Sequence, residues 1–509
     1  MRSAELAVQH LILLVSFTSA LDKELTISSK LLLDEIVYGP DDSINWLAVL
    51  CDDFGPRKTG SYALEEAIDW VVKSLRSDGL RVHAEPVPML PNWTRGDDSA
   101  YVIEPRTHKL NILAIGGSSP GVVEGEVVII RRIEELQTRS VHGKIVVTSQ
   151  DWTGYREGNR LRRAAREAAG RGALALLVKS VTPTSLYTPH TGAGARGATI
   201  PAACITTEEA DMITRWVNRG KKVTIKLEIS SAESPDPVLS RNVVFEIPGS
   251  LYPEEVVVVS AHIDSWDVGQ GALDDGGGMA AVRAALLAIA RLSRSDPTFR
   301  PKRTIRGIFW TAEEQGSLGS AYYFRDHLTA KERFVFASES DQGALRPQNY
   351  RSVLRYQGDH RHKTMIEEIV SVLNANGIPL RVRNSTDQVD VSIFANGGVP
   401  SVNYESDRGN DFYFRFHHSN ADYVSVFDKD DIKSTAAIFA VLAHNVDVSI
   451  FANGGVPSVN YESDRGNDFY FRFHHSNADY VSVFDKDDIK YTAAIFAVLA
   501  HNVANLEDW

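Results

Sequence analysis

Apolar residues fall in two rhythms along this chain. Val256, Val257, Val258 and Val259 form an unbroken apolar run. Such a run, bounded by turn residues, suits a strand covered on both faces inside a parallel sheet. It leads into a glycine-rich loop, the whole reading VVVVSAHIDSWDVGQGALDDGGG over 256–278. His262 therefore falls just past a strand's carboxyl end, where open α/β sheets place their ligands. Beyond the glycines, Met279, Val282, Leu286, Ile289 and Leu292 recur at three- and four-residue steps. That spacing predicts a helix packing back onto the sheet, with Asp275 as its N-cap.

The same two rhythms organise the rest. Leu64, Ile68, Val71, Val72 and Leu75 predict a helix over 63–75, closed by the turn signal Ser77-Asp78-Gly79 and followed by a strand at 80–84. From about 109 the character changes to short strands at close intervals (111–116, 125–130, 143–149, 173–178, 201–205, 223–229). One amphipathic helix, 157–169, interrupts them. This predicts a compact β-rich insert over 106–236. From 242 onward strands (303–311, 334–338) alternate with helices (316–328, and one carrying Met365, Ile366, Ile369, Val372 and Leu373 that stops at Gly377). The fold class expected is α/β, a mostly parallel sheet flanked by helices. The expected plan is 1–20 leader, 21–105 and 237–446 one split domain, 106–236 its insert, and 447–509 a remainder.

That remainder is a near copy. Residues 390–446 recur as 447–503, matching at 56 of 57 positions and differing only at Ser434 against Tyr491. Packing fixes core positions and lets surface positions drift, so structural repeats do not stay this alike. The match points to a very recent duplication or to an error in assembling the sequence. One sheet has one slot for this segment, and docking the second copy requires closing a loop of about 57 residues, a few kcal/mol on the order of (3/2)RT ln n. The first copy is expected to dock, which selects His418 over His475 for any site built from this segment. Ile495, Phe496, Val498 and Leu499 of the second copy would be left without a core.

At 509 residues the chain has material for two or three domains. A formal charge of −12 argues against nucleic acid as a partner. Arg2, the apolar Leu11, Ile12, Leu13, Leu14 and Val15, and Thr18-Ser19-Ala20 read as a secretory signal over 1–20. No other stretch reads as a membrane span, so no membrane association is expected after its removal. Sequons at Asn92 and Asn384 fit export to a secreted or lumenal location, extracellular or lysosomal. Cys51 and Cys204, the two cysteines, fall in different domains and are expected to be buried free thiols.

Candidate chemistry gathers at strand ends: His262 with Asp264 and Asp274-Asp275, then Glu313-Glu314, then Glu339 with Asp341. A fourth cluster, His417-His418 with Asp422, sits in an aromatic loop carrying Phe412, Tyr413, Phe414 and Phe416. One acidic pair at a strand end is ordinarily a cap or a solvated carboxylate. Four clusters on one sheet edge are harder to explain structurally, and imidazoles with carboxylates and no clustered thiolates suit Zn²⁺, less so Mn²⁺ or Co²⁺. Glu313 reads equally as a general base or as an exposed carboxylate near a helix N-terminus. His327 and His360 show no partner spacing and are expected at the surface. The aromatics are expected to line a core or interface.

The motifs AHIDSWDVGQGALDDGGG, WTAEEQGSLG, ESDQG and FHHSNAD resemble those of the M28 family of zinc metallopeptidases, over nearly the whole chain after 1–20. The resemblance implies a three-layer zinc-exopeptidase sandwich, a protease-associated-like insert, two zinc ions and a possible homodimer. By it, His262, Asp274, Glu314, Asp341 and His418 hold metal, with Asp274 between the two ions, and Glu313 is the general base. Asp264 would stand behind the ligands, accepting the other N–H of His262, and Asp275 would follow a cis peptide. His417 is left either facing substrate or as a structural neighbour. The expected activity is hydrolysis of small unblocked peptides, dipeptides foremost, by a carboxypeptidase or dipeptidase. The alternatives are an aminopeptidase and, from another class, a catalytically inactive receptor or binding module on the same fold.

Overall fold

The computed structural model describes residues 26–328, 331–385 and 389–453. The expected leader, the second copy from 454 on, His475 and the apolar face at 495–499 lie outside the described residues.

Helices α1 (26–38), α2 (Ser43–Phe54) and α3 (Tyr62–Ser77) come first, then strand β1 (Arg81–Thr94). The insert follows with β2 (Ser99–Glu104), β3 (His108–Leu110), β4 (Ile112–Ala114), β5 (Gly121–Ile130), β6 (Ile145–Thr148), helices α4 (Tyr155–Arg162) and α5 (Ala165–Gly170), β7 (Ala175–Lys179), β8 (Ala202–Ile205), α6 (Thr207–Asn218) and β9 (Thr224–Ile229). The chain then returns through β10 (Ala232–Ile247), β11 (Tyr252–His262), α7 (Gly277–Ser295), β12 (Arg303–Trp310), α8 (Leu318–His327), β13 (Arg333–Ser340), β14 (Val353–Gln357), α9 (His360–Ala375), β15 (Arg381–Asn384), α10 (Asp390–Asn396), β16 (Ser401–Glu405) and α11 (Asp431–Asn453).

The first sheet runs β1-β10-β12-β11-β13-β16-β14-β15. Its four central strands, β12, β11, β13 and β16, are parallel, and the antiparallel pairs lie toward the flanks. The four-valine run explains itself here. Val257 and Val259 join a core with Met279, Val282, Leu286 and Ile289 of α7 and Phe439 of α11. Val256 and Val258 face the other way, onto Tyr323, Phe324 and Phe394 of α8 and α10. A strand with helices on both faces has no polar side, so its alternation disappears. Helix α7 is buried almost all round. Ala272–Ser295 is therefore long and apolar enough to span a bilayer, against the sequence expectation, but it is a core helix.

The insert builds its own eight-stranded sheet, β3-β2-β9-β5-β6-β7-β8-β4, with apolar cores on both faces. One core takes in Trp266 and Val268 from the loop after β11, so the insert is seated on that loop. The single helix expected over 157–169 is two, α4 and α5. They part where the buried Arg162 turns its guanidinium to the Thr191 carbonyl and the Tyr155 hydroxyl.

Two further expectations change. Helix α8 starts at Leu318 rather than 316, because Gly316 (φ 106°) and Ser317 (φ 55°) occupy left-handed backbone to turn the chain out of Glu313-Glu314. Asp275 does not cap α7, whose first residue follows Gly276. The Asp275 carboxylate instead accepts the backbone N–H of His262 at 3.1 Å. Cys51 and Cys204 are free and buried, each thiol pushed up to about 12 by burial. Asn92 lies within β1, its amide donating to the Asp236 carbonyl at 3.2 Å. Asn384 is exposed at the end of β15, and the third residue of its sequon lies outside the described residues.

Candidate active site

The parallel centre of the sheet delivers three clusters to one edge. His262 ends β11, Glu313 and Glu314 follow β12, and Asp341 follows β13. The register sets them side by side, with His262 opposite Trp310 and Ser260 opposite Glu339.

The loop after β11 is drawn together by the buried Arg57. Its guanidinium donates to the carbonyls of Ile263, Gln270 and Gly271, each at 2.8 Å. Gly271 has φ 59°, and a Cβ there would lie 2.5 Å from the Ser265 Cβ, so only glycine fits the turn. The Asp274–Asp275 peptide that follows is cis.

His262 Nε2 lies 3.1 Å from Asp274 Oδ1 and 3.4 Å from Asp341 Oδ1. Across the same carboxylate, His418 Nε2 lies 3.2 Å from Asp274 Oδ2 and 2.9 Å from Glu314 Oε2. His262 and His418 thus address opposite oxygens of Asp274. His417 Nε2 is 3.5 Å from Asp274 Oδ2, and its ring stacks on His418 with centroids 3.5 Å apart. Tyr155 of the insert meets the His417 ring edge-on at 4.9 Å, and its own ring stacks on Phe414 at 5.1 Å. The aromatic loop is the seam between insert and main sheet.

Behind these side chains the arrangement at Asp264 differs from the expected one. Its main-chain carbonyl, 2.8 Å away, is what His262 Nδ1 meets, while the nearer carboxylate oxygen stands 3.8 Å off. The carboxylate is committed elsewhere, accepting the Glu313 N–H at 3.0 Å, the Glu314 N–H at 3.4 Å and the Thr59 hydroxyl at 3.0 Å. The Asp264 side chain therefore holds the acidic turn, and its main-chain carbonyl the imidazole. His418 in turn has Nδ1 3.2 Å from the Thr191 carbonyl, and its own carbonyl accepts the Thr191 N–H at 2.9 Å. A residue of the insert orients it.

Some participants left little trace in the sequence. His190 is buried and held at about 3, chiefly by burial, with Nδ1 2.8 Å from the His417 carbonyl. Asp390 is buried, bonded to the Ser320 hydroxyl at 2.5 Å, and lifted to about 7 first by burial. Glu339 accepts the Val391 N–H at 3.1 Å and is raised well above the carboxylate range by burial and then by Asp390. Glu339 opens the ESDQG motif, but His190 and Asp390 sit in none, and only the packing of α10 and the insert against the sheet edge brings those two in. His327 is not a free surface residue: it bridges Glu332 at 2.9 Å and Glu85 at 3.1 Å and is raised to about 9 by them against burial. His360 is exposed, as expected.

The electrostatics fit divalent cations. Burial and then Asp341 hold Glu313 well above its usual range, and burial holds Glu314 at about 7. Asp274 is pulled well below its usual range against burial by His262 and His418. His262 is itself raised well above its usual value by Asp274 and Asp341 against burial. The buried oxygens Asp274 Oδ2 and Glu314 Oε1 have no hydrogen-bond partner. Mutually repelling carboxylates with orphaned oxygens, beside imidazoles in hydrogen-bond range, form an N/O donor set suited to zinc.

Fold and site together define a metallopeptidase: the sequence profile of peptidase family M28 matches residues 242–444, and the chain belongs to that family as a metallo-exopeptidase. Among its relatives, carboxypeptidase Q of Bos taurus is 40% identical over 430 residues, covering 82% of this chain and 88% of that one. A crystal structure of a peptidase M28 precursor from Shewanella amazonensis superposes with a TM-score of 0.75 at 30% identity, over 87% of this chain and 100% of the other. A more distant relative, aminopeptidase YwaD of Bacillus subtilis, is 26% identical over 308 residues, 58% of this chain and 60% of its own.

Proposed function

We propose that the chain is a dinuclear zinc exopeptidase that hydrolyses small unblocked peptides, dipeptides foremost, as a carboxypeptidase or dipeptidase. The observation that carries this is Asp274, whose two oxygens face the Nε2 atoms of His262 and His418 at 3.1 and 3.2 Å. A carboxylate so divided suits a bridge between two ions, offsetting their repulsion. His262 and Asp341 would hold one ion with Asp274, and Glu314 and His418 the other. His418 is preferred over His417 because it also meets Glu314 at 2.9 Å.

Zinc bound there supplies Lewis acidity to a water and to the scissile carbonyl. Glu313 then takes the water's proton and passes it to the departing amine nitrogen. Its backbone is fixed by the Asp264 carboxylate, which accepts the Glu313 N–H at 3.0 Å. The insert supports the site through Thr191 and is read as protease-associated-like. The apolar segment at 1–20 and the sequons at Asn92 and Asn384 support passage through the secretory pathway to a secreted or lysosomal location. The aminopeptidase reading draws on the YwaD match.

The test is metal analysis of the purified full chain with a dipeptide hydrolysis assay. Two equivalents of zinc and activity lost to a chelator and restored by zinc are expected. A protein with two zincs and no hydrolysis of any dipeptide would sink the reading.

A further inference from the structure

Beside the cluster of His262, Asp274, Glu314 and His418 lies a cleft between the main sheet's loops and the insert. Its wall includes Lys58, Trp93, Gly116, Arg196, Trp266 and Gln315. It adjoins the candidate site twice over. Trp266 meets the His418 ring edge-on at 5.7 Å, and Gln315 directly follows Glu314.

We propose that this cleft receives the free carboxylate of the substrate's C-terminal residue, with Lys58 as its counter-ion. The proposal rests on the exopeptidase reading and assigns its polarity.

Three observations support it. The first is a count of charges. Arg95 closes on Asp267 through two bonds of 2.8 Å, and Arg196 on Glu233 at 2.6 Å. Those pairs leave Lys58 as the unpaired cation of the cleft among the described residues, its ammonium donating only to the neighbouring Thr59 carbonyl at 3.1 Å. Burial lowers its pKa, and the nearby carboxylates of Asp267 and Asp264, neither within hydrogen-bond reach of the ammonium, act against that.

The second is the wall the cleft shares with the site. Trp266 lines the cleft and meets the His418 ring edge-on at 5.7 Å, so a group seated against it lies next to the cluster of His262, Asp274 and His418.

The third is room and rigidity. Gly116 packs against Trp266 so closely that a Cβ would lie 2.2 Å from the ring, and a Cβ on Gly117 would lie 2.6 Å from the Arg196 backbone nitrogen. Trp93 closes the far side, edge-on to Trp266 at 6.4 Å. Lys58 is held by its neighbour Thr59, whose hydroxyl reaches Asp264 at 3.0 Å and Gln315 at 2.5 Å, tying the cation to the turn that carries Glu313 and Glu314. An α-ammonium would meet the like charge of Lys58 here, and the one carboxylate lining the cleft, Glu233, is already paired with Arg196. The cleft therefore favours the carboxyl-terminal over the amino-terminal reading.

The test measures equilibrium binding of alanyl-alanine and of its C-terminal carboxamide to the zinc-loaded full chain carrying Glu313→Gln, so that turnover does not consume the ligand. The free acid is expected to bind about 10- to 100-fold tighter than the amide, the range for a hydrogen bond to a charged group. Adding Lys58→Met should bring the ratio close to one while zinc content stays unchanged, and Lys58→Arg should restore most of it. An unchanged ratio in Lys58→Met, or an amide bound as tightly as the acid by the parent, would overturn the proposal. Dipeptide turnover by the unsubstituted chain is scored separately. Its absence with the binding ratio intact would fell the exopeptidase reading and leave the carboxylate site standing.

Discussion

Asp422 carries the backbone of Asp274: its Oδ2 accepts the Asp274 N–H at 3.1 Å, and its Oδ1 accepts the Leu273 N–H at 2.6 Å. The carboxylate between the two histidines is thus positioned from the far side of the site, by a residue about 150 positions later in the chain. Burial lifts Asp422 to about 7, and the two amides it accepts act against that.

Replacing Asp422 with Asn should weaken zinc binding by about 10- to 100-fold, the usual consequence of disturbing a group that orients a ligand. An amide must turn one N–H₂ toward a backbone N–H, so one of the two bonds is lost. Chelator competition measures the effect, and unaltered zinc affinity would contradict the role given to Asp422.

Asp274→Ala should remove the carboxylate proposed to bridge the two ions. The expected result is loss of at least one zinc equivalent with loss of activity. Two equivalents retained after dialysis would rule out the bridge.

Glu313→Gln should separate metal binding from proton transfer. Zinc content is expected to stay at the parent level while kcat falls by a factor on the order of 10² or more, since general-base action alone contributes about 10² to 10⁴. Near-normal turnover in the metal-replete variant would reassign the base.

The metal-free protein should show the strain of its buried acids. Asp390 is lifted to about 7, first by burial, from an unfolded value of about 3.9. Between those values the folded state holds the extra proton, so this residue's contribution makes stability fall as pH rises from about 4 to about 7. Asp390→Asn removes the titration. Denaturation of the chelated proteins should therefore show the variant gaining on the parent between pH 5 and pH 8. A constant difference across that range would mean that Asp390 does not titrate there.

The sequence by itself determined the sheet's centre and most of what converges there. Four adjacent valines can be buried only on both faces, so β11 had to lie inside a parallel sheet, and His262 had to fall at its carboxyl end. The acidic pairs at Glu313-Glu314 and Asp341 were placed by the same reasoning, because strands announce themselves by local pattern. Only the tertiary structure decided what each group faces. Asp275 reads locally as a helix cap yet bonds the backbone of His262, and Asp264 reads as the imidazole's partner yet holds the Glu313-Glu314 turn. His418 is oriented by Thr191, 227 positions earlier, and Lys58 is set beside Trp266 by the hydrogen bonds between their neighbours Arg57 and Ser265, 208 positions apart. Periodicity records which side of an element is buried, whereas hydrogen-bond partners across an interface depend on how separately folded segments dock, and no short-range pattern in the chain carries that information.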